Sequence, residues 1–420
     1  MVKNDGDAAR LASPVALPIL VLVLCFACNG IGRGVGDTYI VFLLPLEAEF
    51  GWHRSQMTSV YSLLMVVSGL ASPLSGIVFE RWGPRLLYAA GLALLGSGCF
   101  LAGQARELWQ FYLCVGLMGG LGASALGMVP AAALLSRWFQ RRLSTAIGLV
   151  YAGFGCGTLL IVPLAQTLID GRGWRGAYQA IGGALLILLP LSLALPWGTL
   201  RAGQTLAANS TPVPRPAASR QRPLRAALGE RRFWLLVQVM FFTAVGMYLI
   251  TVQSVAYLVD IGFTPLQAAG AFGSAAMLSV VGVSAAGWLA DHVGHRRAAT
   301  LSFSGTFGGI AVLYAMSYRS ANWLLAVYVL LFGICQGARG PVVASLSARL
   351  FAGPGQAAIY GTIYAFMSLG SGLGALLSGV LHDLTGGYRA SFVLAMVCVV
   401  LAAAPFWISD ALLPREMPAE

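Results

Sequence analysis

A chain of 420 residues that is 58% hydrophobic and 10% charged, with a mean hydropathy of +0.78, cannot cover itself with polar surface, so a soluble globular domain is excluded. The net charge of +11 does not point to nucleic acid, because the basic residues are scattered over short connections instead of gathering on one face. The seven cysteines (25, 28, 99, 114, 156, 335 and 398) all fall in apolar runs, which implies neither a disulfide framework nor a zinc site.

The first apolar run extends from near Pro14 to near Leu46. Lys3 and Arg10 precede it as in a signal peptide, but no small-residue cleavage site follows, so it is expected to stay as an uncleaved span. Its centre reads Asn29-Gly-Ile-Gly-Arg33-Gly-Val-Gly-Asp37-Thr-Tyr39. Ionisable groups at that depth are costly and normally face a bundle interior or a water-filled cavity. Four residues apart on a helix, Arg33 and Asp37 share a face and can reach each other, either as a working pair or as a purely structural one. Glycines 30, 32, 34 and 36 are dense enough to loosen a helix and turn peptide dipoles toward a bound ion. The same spacing also fits close helix packing through small-xxx-small contacts.

Taking about 20 apolar residues per span, with Gly, Pro and charge clusters as boundaries, twelve spans are predicted. They run over 14–46, 55–79, 84–103, 107–136, 143–169, 175–197, 232–260, 264–290, 297–317, 321–348, 356–382 and 388–411. Eighteen Lys and Arg residues then fall in the connections on one side and six on the other, with Arg33 and Arg339 left inside the membrane. The positive-inside rule places both termini in the cytoplasm. The multi-pass chain is expected in a plasma membrane, the inner one in a Gram-negative cell.

The connection from Gly198 to Gly229 carries Pro212, Pro214, Pro216 and Pro223 among arginines and small polar residues, and reads as a flexible linker. It divides the chain into halves 1–197 and 232–420, with 198–231 between them. The halves repeat one another. Phe50-Gly51-Trp52 with Gln56 recurs as Ile261-Gly262-Phe263 with Gln267, and Gly76, Glu80, Gly83 and Arg85 recur as Gly287, Asp291, Gly294 and Arg296. Further on, Arg137-Trp-Phe139 matches Arg349-Leu-Phe351, and Gly173-Trp-Arg175 with Tyr178 matches Gly387-Tyr-Arg389 with Phe392. Parallel six-span repeats place a substrate between the halves near the midplane, with the halves rocking about it.

Gly76-Ile-Val-Phe-Glu80-Arg81-Trp-Gly83-Pro84-Arg85 and Gly287-Trp-Leu-Ala-Asp291-His292-Val-Gly294-His295-Arg296-Arg297 resemble the paired signature loops of the major facilitator superfamily. Phe50-Gly-Trp52, Arg137-Trp-Phe-Gln-Arg-Arg142, Gly173-Trp-Arg175 and His382-Asp-Leu-Thr-Gly-Gly-Tyr388 further resemble its monocarboxylate transporter and oxalate/formate antiporter group. The resemblance implies an all-α fold of twelve transmembrane helices in two pseudo-symmetric six-helix bundles. It also implies carriage of small organic anions with a proton or against a counter-anion. In the resembling family the loops stabilise the outward-open form, a role that passes to Glu80, Arg81, Arg85, Asp291 and Arg296. Their charges at helix ends suit pairs that form in one rocking state and break in the other, and loop solubility alone is the competing reading.

Arg339, in Gly337-Ala338-Arg339-Gly340-Pro341 of span 10, lies at a depth similar to Arg33 in the opposite half. Two guanidiniums facing one cavity would match a carboxylate's oxygens, and Arg339, with no acid nearby in its span, is the expected anchor. The rival role for Arg339 is a structural donor to carbonyls at the Pro341 kink. Protonation of Asp37 would release Arg33 to substrate and couple proton to anion. The family's usual arginine in span 8 and lysine in span 11 are missing, and Gln253 stands in span 7 where relatives place a histidine. Polar candidates at cavity depth are Asn29, Tyr39, Tyr61, Tyr151, Tyr248, Tyr257, Tyr360 and Tyr364. Tyr248 and Tyr364 come first, because spans 7 and 11 approach the centre in this fold. Asn29, Tyr151 and Gln253 complete the expected substrate site.

No catalytic triad, Walker loop, dinucleotide fingerprint or metal-ligand spacing occurs, so neither an enzyme nor a cofactor is expected. The expected partners are a small organic anion, protons or a counter-anion, and the lipid bilayer, with no nucleic acid and a monomer as the default. Two competing readings are a proton-coupled exporter of drugs or other cations and a non-transporting membrane sensor. Span 4 lacks the embedded arginine that would favour the first, and short tails without an output domain offer little to the second.

Overall fold

A computed structural model describes residues 16–139, 143–202, 227–293, 295–319, 321–337, 343, 346–347, 350–351 and 356–408. Its described elements are helices, and ten stretches are long and apolar enough to cross a membrane. One of the ten, 146–194, lies in a helix interrupted at Gly173, whose φ of 69° breaks it in two. The shorter apolar helix Asn322–Gln336 leads into residues outside the described set, where Arg339 also lies. The observed elements thus match the expected order of spans.

The chain enters through α1 (Ala16–Asp37) and α2 (Tyr39–Phe50), which divide one span at Thr38. It returns along α3 (Arg54–Trp82), then α4 (Pro84–Ala102). The fourth span is composite, with α5 (Leu108–Phe111), a π-helical stretch Tyr112–Gly119, α6 (Gly120–Ala125) and α7 (Met128–Trp138). Next come α8 (Leu143–Ala194), which holds two spans, and the short α9 (Trp197–Ala202). After the linker follow α10 (Arg231–Thr251), α11 (Ser254–Asp260), α12 (Pro265–Val293), α13 (His295–Met316), α14 (Asn322–Gln336), α15 (Gln356–Thr385) and α16 (Arg389–Ile408). The bundle end where α1 begins is called proximal here, and the opposite end, carrying Gly51, Gly173, Gly262 and Gly386, distal.

The repeat is visible in hydrogen bonds. Gln56 Oε1 accepts the His53 amide at 3.1 Å, and Gln267 Oε1 accepts the Thr264 amide at 3.1 Å, each closing the first turn of a span. At the same end Trp174 Nε1 donates to Glu49, and the Tyr388 hydroxyl donates to Asp260. The span that begins the second half leaves helical geometry at Gln253, where φ is −106° and ψ is 6°, whereas Thr38, between α1 and α2, keeps helical dihedrals.

The glycines of the first span decide between the two expectations drawn from them. α1 is helical without interruption through 30–36, so the loosened backbone does not occur there. Close packing accounts for them instead. A Cβ on Gly34 would sit 2.6 Å from the Gly157 carbonyl oxygen, and one on Gly30 would sit 3.0 Å from that of Gly153. Gly157 in turn presses on the backbone of Gly30. Gly157→Ala is therefore expected to force α1 and α8 apart at a cost of about 1–3 kcal/mol, read as a lower unfolding temperature of the purified protein. Gly148→Ala, which would meet nothing within 4 Å, should leave that temperature unchanged.

Candidate functional site

The close approach of α1 to α8 brings a threonine onto the buried acid of the first span. Asp37 is 2% exposed and accepts three hydrogen bonds. Arg33 Nε donates to Oδ2 at 3.0 Å, Thr158 Oγ1 donates to Oδ2 at 2.9 Å, and the Tyr61 hydroxyl donates to Oδ1 at 2.8 Å. A carboxylate taken out of water needs a counter-charge and filled lone pairs, and this one has both. The pair expected from the sequence spacing forms.

Arg33 reaches further. Its Nη2 donates to the Tyr248 hydroxyl at 3.1 Å, across to α10 in the second half of the chain. The rings of Tyr61 and Tyr248 stand 6.2 Å apart, beside the guanidinium. Unlike Asp37, the Arg33 side chain is 27% exposed. Its Nη1 makes no hydrogen bond among the described residues. One edge of the fork is therefore committed to protein and the other is open to a ligand.

Tyr364 on α15 lies close enough to Arg33, Tyr248 and Tyr151 to interact electrostatically with each. Tyr151 and Tyr364 are nevertheless 40% and 38% exposed. Gln253 sits in the break between α10 and α11, 3% exposed, with neither Oε1 nor Nε2 hydrogen-bonded. Asn29 is enclosed one turn before Arg33, its Nδ2 on the Cys25 carbonyl at 2.9 Å and its Oδ1 unpartnered.

The structure thus groups Arg33, Asp37, Tyr248 and Tyr364, with Tyr151 beside Tyr364, while Gln253 and Asn29 occupy separate buried positions. Arg339 lies outside the described residues, as do the side chains of Glu80 and Asp291. Among the other signature-loop residues, Arg81 and Arg85 are exposed at the proximal end, and the Arg296 guanidinium lies over the Trp407 ring at 4.2 Å. Thr158 is the site residue that sequence reasoning missed. Its signal was the glycine pair four residues apart at 153 and 157, matching the pair at 30 and 34. Two such faces pack together and carry the next residue onto the partner helix.

Comparison with known proteins follows the same direction. The family model for the Major Facilitator Superfamily matches residues 22–330 and again 285–419. Monocarboxylate transporter 13 of Rattus norvegicus is 33% identical over 380 residues, covering 90% of this chain and 85% of that protein. Monocarboxylate transporter 11 of Mus musculus is 32% identical over 417 residues, covering 95% and 88%. Among solved structures, a bacterial homologue of the human lysosomal transporter Spinster, inward-facing and unoccupied, aligns with a TM-score of 0.75 at 16% identity, covering 97% of this chain and 100% of that one. The inward-facing and occupied form aligns with a TM-score of 0.71, covering 93% and 95%.

Proposed function

The chain belongs to the major facilitator superfamily, as a transporter related to the monocarboxylate transporters and not an enzyme, and from that premise we propose that it moves small organic anions, monocarboxylates foremost, together with protons. The observation that carries this reading is the division of Arg33 between a buried acid on its own helix and a tyrosine from the other half of the chain. In the empty, deprotonated site Arg33 and Asp37 cancel. A proton on Asp37 removes the cancellation and leaves a positive fork whose open edge fits a carboxylate. Site plus cargo is neutral when both proton and anion are present and neutral when both are absent, and a neutral site crosses a low-dielectric barrier at least cost. Half-loaded states carry net charge and are held back. That asymmetry is what couples the two fluxes.

In this reading Tyr248 and Tyr364 orient the anion from the second half, Arg339 serves as a structural donor to backbone carbonyls at the Pro341 kink and adds no charge to the site, and Gln253, enclosed in the present state, meets the substrate's polar end once the halves move. Tyr151 bounds the site on the first half, with Asn29 enclosed one turn before Arg33 as its support. Glu80, Arg81, Arg85, Asp291 and Arg296 hold the proximal end shut in the outward-open state. The halves 1–197 and 232–420 rock as units about the 198–231 linker, both termini face the cytoplasm, and the protein works as a monomer in the plasma membrane. The proximal end is then cytoplasmic, and the exposed faces of Tyr151 and Tyr364 line the inward-facing vestibule.

Proteoliposome uptake tests the substrate class. Labelled mono- and dicarboxylates, aromatic acids and lipophilic cations are offered under an inward proton gradient. Accumulation of a monocarboxylate is expected. Expulsion of cations, or movement of nothing, would overturn the reading.

A further inference from the structure

At the distal end one guanidinium and one helix terminus, both belonging to residues 54–55, hold carboxylates from the other half of the chain. Arg54 opens α3 and is 4% exposed. Its Nη2 lies 2.5 Å from Glu47 Oε2 on α2 and 3.9 Å from Asp260 Oδ2 on α11. The backbone amides of Arg54 and Ser55 donate to Asp383 Oδ1 at 3.0 Å and to Oδ2 at 2.8 Å, so a carboxylate on α15 caps the N-terminus of α3. Tyr388 donates to Asp260 and fixes that acid from the start of α16. Behind these contacts α3 and α15 stay close, with Ser62 Oγ donating to the Gly372 carbonyl at 2.7 Å. Gly379 is pressed against Arg54, Ser55 and Thr58.

The cluster is not arranged for greatest stability. Arg54 Nε and Nη1 are buried without any hydrogen-bond partner, although three carboxylates lie around the residue. A purely structural arginine would have those donors filled. The pair formed by Arg175 and Glu49 at the same end shows the contrast, since it lies within the first half and is 40% and 38% exposed.

We propose that Arg54 is a positioning residue of the transport cycle, a latch that closes the distal mouth by tying Glu47 and the start of α3 to Asp260 and Asp383. The inference rests on the alternating-access reading above. Opening the distal mouth carries α11 and the end of α15 away from α3. The Arg54–Asp260 contact and both amide bonds to Asp383 then break, while Arg54–Glu47 remains within its own half. The unfilled donors of Arg54 gain access to water as the mouth opens, which lowers the cost of the open state.

Hydrogen–deuterium exchange of the full-length protein in nanodiscs tests this. Arg54→Gln and Asp383→Asn should each speed exchange in 47–58, 254–263 and 379–388 about tenfold and slow it in 70–86 and 356–370, because opening one end closes the other. Arg175→Gln should do neither. Faster distal exchange without proximal protection would make Arg54 a local staple, and unchanged exchange would remove it from gating; either result overturns the proposal. Saturating carboxylate at acidic pH separates this failure from failure of the function. If only the latch is wrong, carboxylate still produces the reciprocal change in every variant. If the transport reading is wrong, carboxylate produces it in none, wild type included.

Discussion

Asp37→Asn is expected to abolish uphill uptake of carboxylate while leaving exchange of carboxylate across the membrane in place. The substitution keeps the shape of the side chain and imitates its protonated form. The amide oxygen can still accept from Thr158 Oγ1 and Arg33 Nε, so the local packing survives. What is lost is the charge that cancels Arg33 in the empty site. The variant then carries a permanently positive site that binds anion at any pH, crosses when loaded and stalls when empty. For one proton per anion, a gradient of one pH unit is worth about 1.4 kcal/mol and drives about tenfold accumulation in wild type. The variant should show none of it, while labelled carboxylate inside still exchanges with unlabelled carboxylate outside at a rate within roughly a factor of ten of wild type. Proton-driven accumulation that persisted in Asp37→Asn would place the coupling proton elsewhere.

Arg33→Ala should fail in a different way. Removing one member of a buried ion pair leaves the other uncompensated, at a cost of about 3–5 kcal/mol. The effect should fall near the lower figure here, because Arg33 is 27% exposed and Asp37 keeps its bonds from Thr158 and Tyr61. The unfolding temperature should drop by roughly several degrees, and carboxylate should no longer stabilise the protein. Replacing both residues by alanine removes the stranded charge. Arg33→Ala/Asp37→Ala should recover most of the lost stability and none of the transport. If the double variant transports, the pair is structural and the substrate site lies elsewhere. Arg33→Lys separates charge from shape, since lysine keeps the charge but cannot hold Asp37, Tyr248 and a carboxylate at once through one planar fork.

The broad architecture was legible because membrane spans write themselves in composition and the repeats write themselves in turns. Gln56 and Gln267 matched in sequence and cap equivalent helices in the structure. The Arg33–Asp37 contact followed from helix spacing alone. The glycines between them were ambiguous for a physical reason, because a residue without a side chain serves a flexible backbone and a tight helix contact equally well. Only the position of α8 against α1 decides between those uses. Thr158 and the Arg54 cluster were hidden because their partners lie 121 and more than 200 residues away in sequence. No local pattern ties Arg54 to Asp260 or Ser55 to Asp383, and ordinary charged residues at span ends look like solubility until the halves are brought together.

The coupling of proton to anion is tested most directly by a flux measurement on wild type. Proteoliposomes loaded with a pH indicator and held at zero membrane potential are given an inward gradient of the monocarboxylate that uptake assays select. Its acid form must be too polar to cross lipid unaided. The account predicts that the lumen acidifies as the anion enters, with one proton for each carboxylate, and that protein-free vesicles show no change. Entry of the carboxylate with the lumen pH unmoved would contradict it, and would mean that Arg33 and Asp37 hold the bundle together without joining the two fluxes.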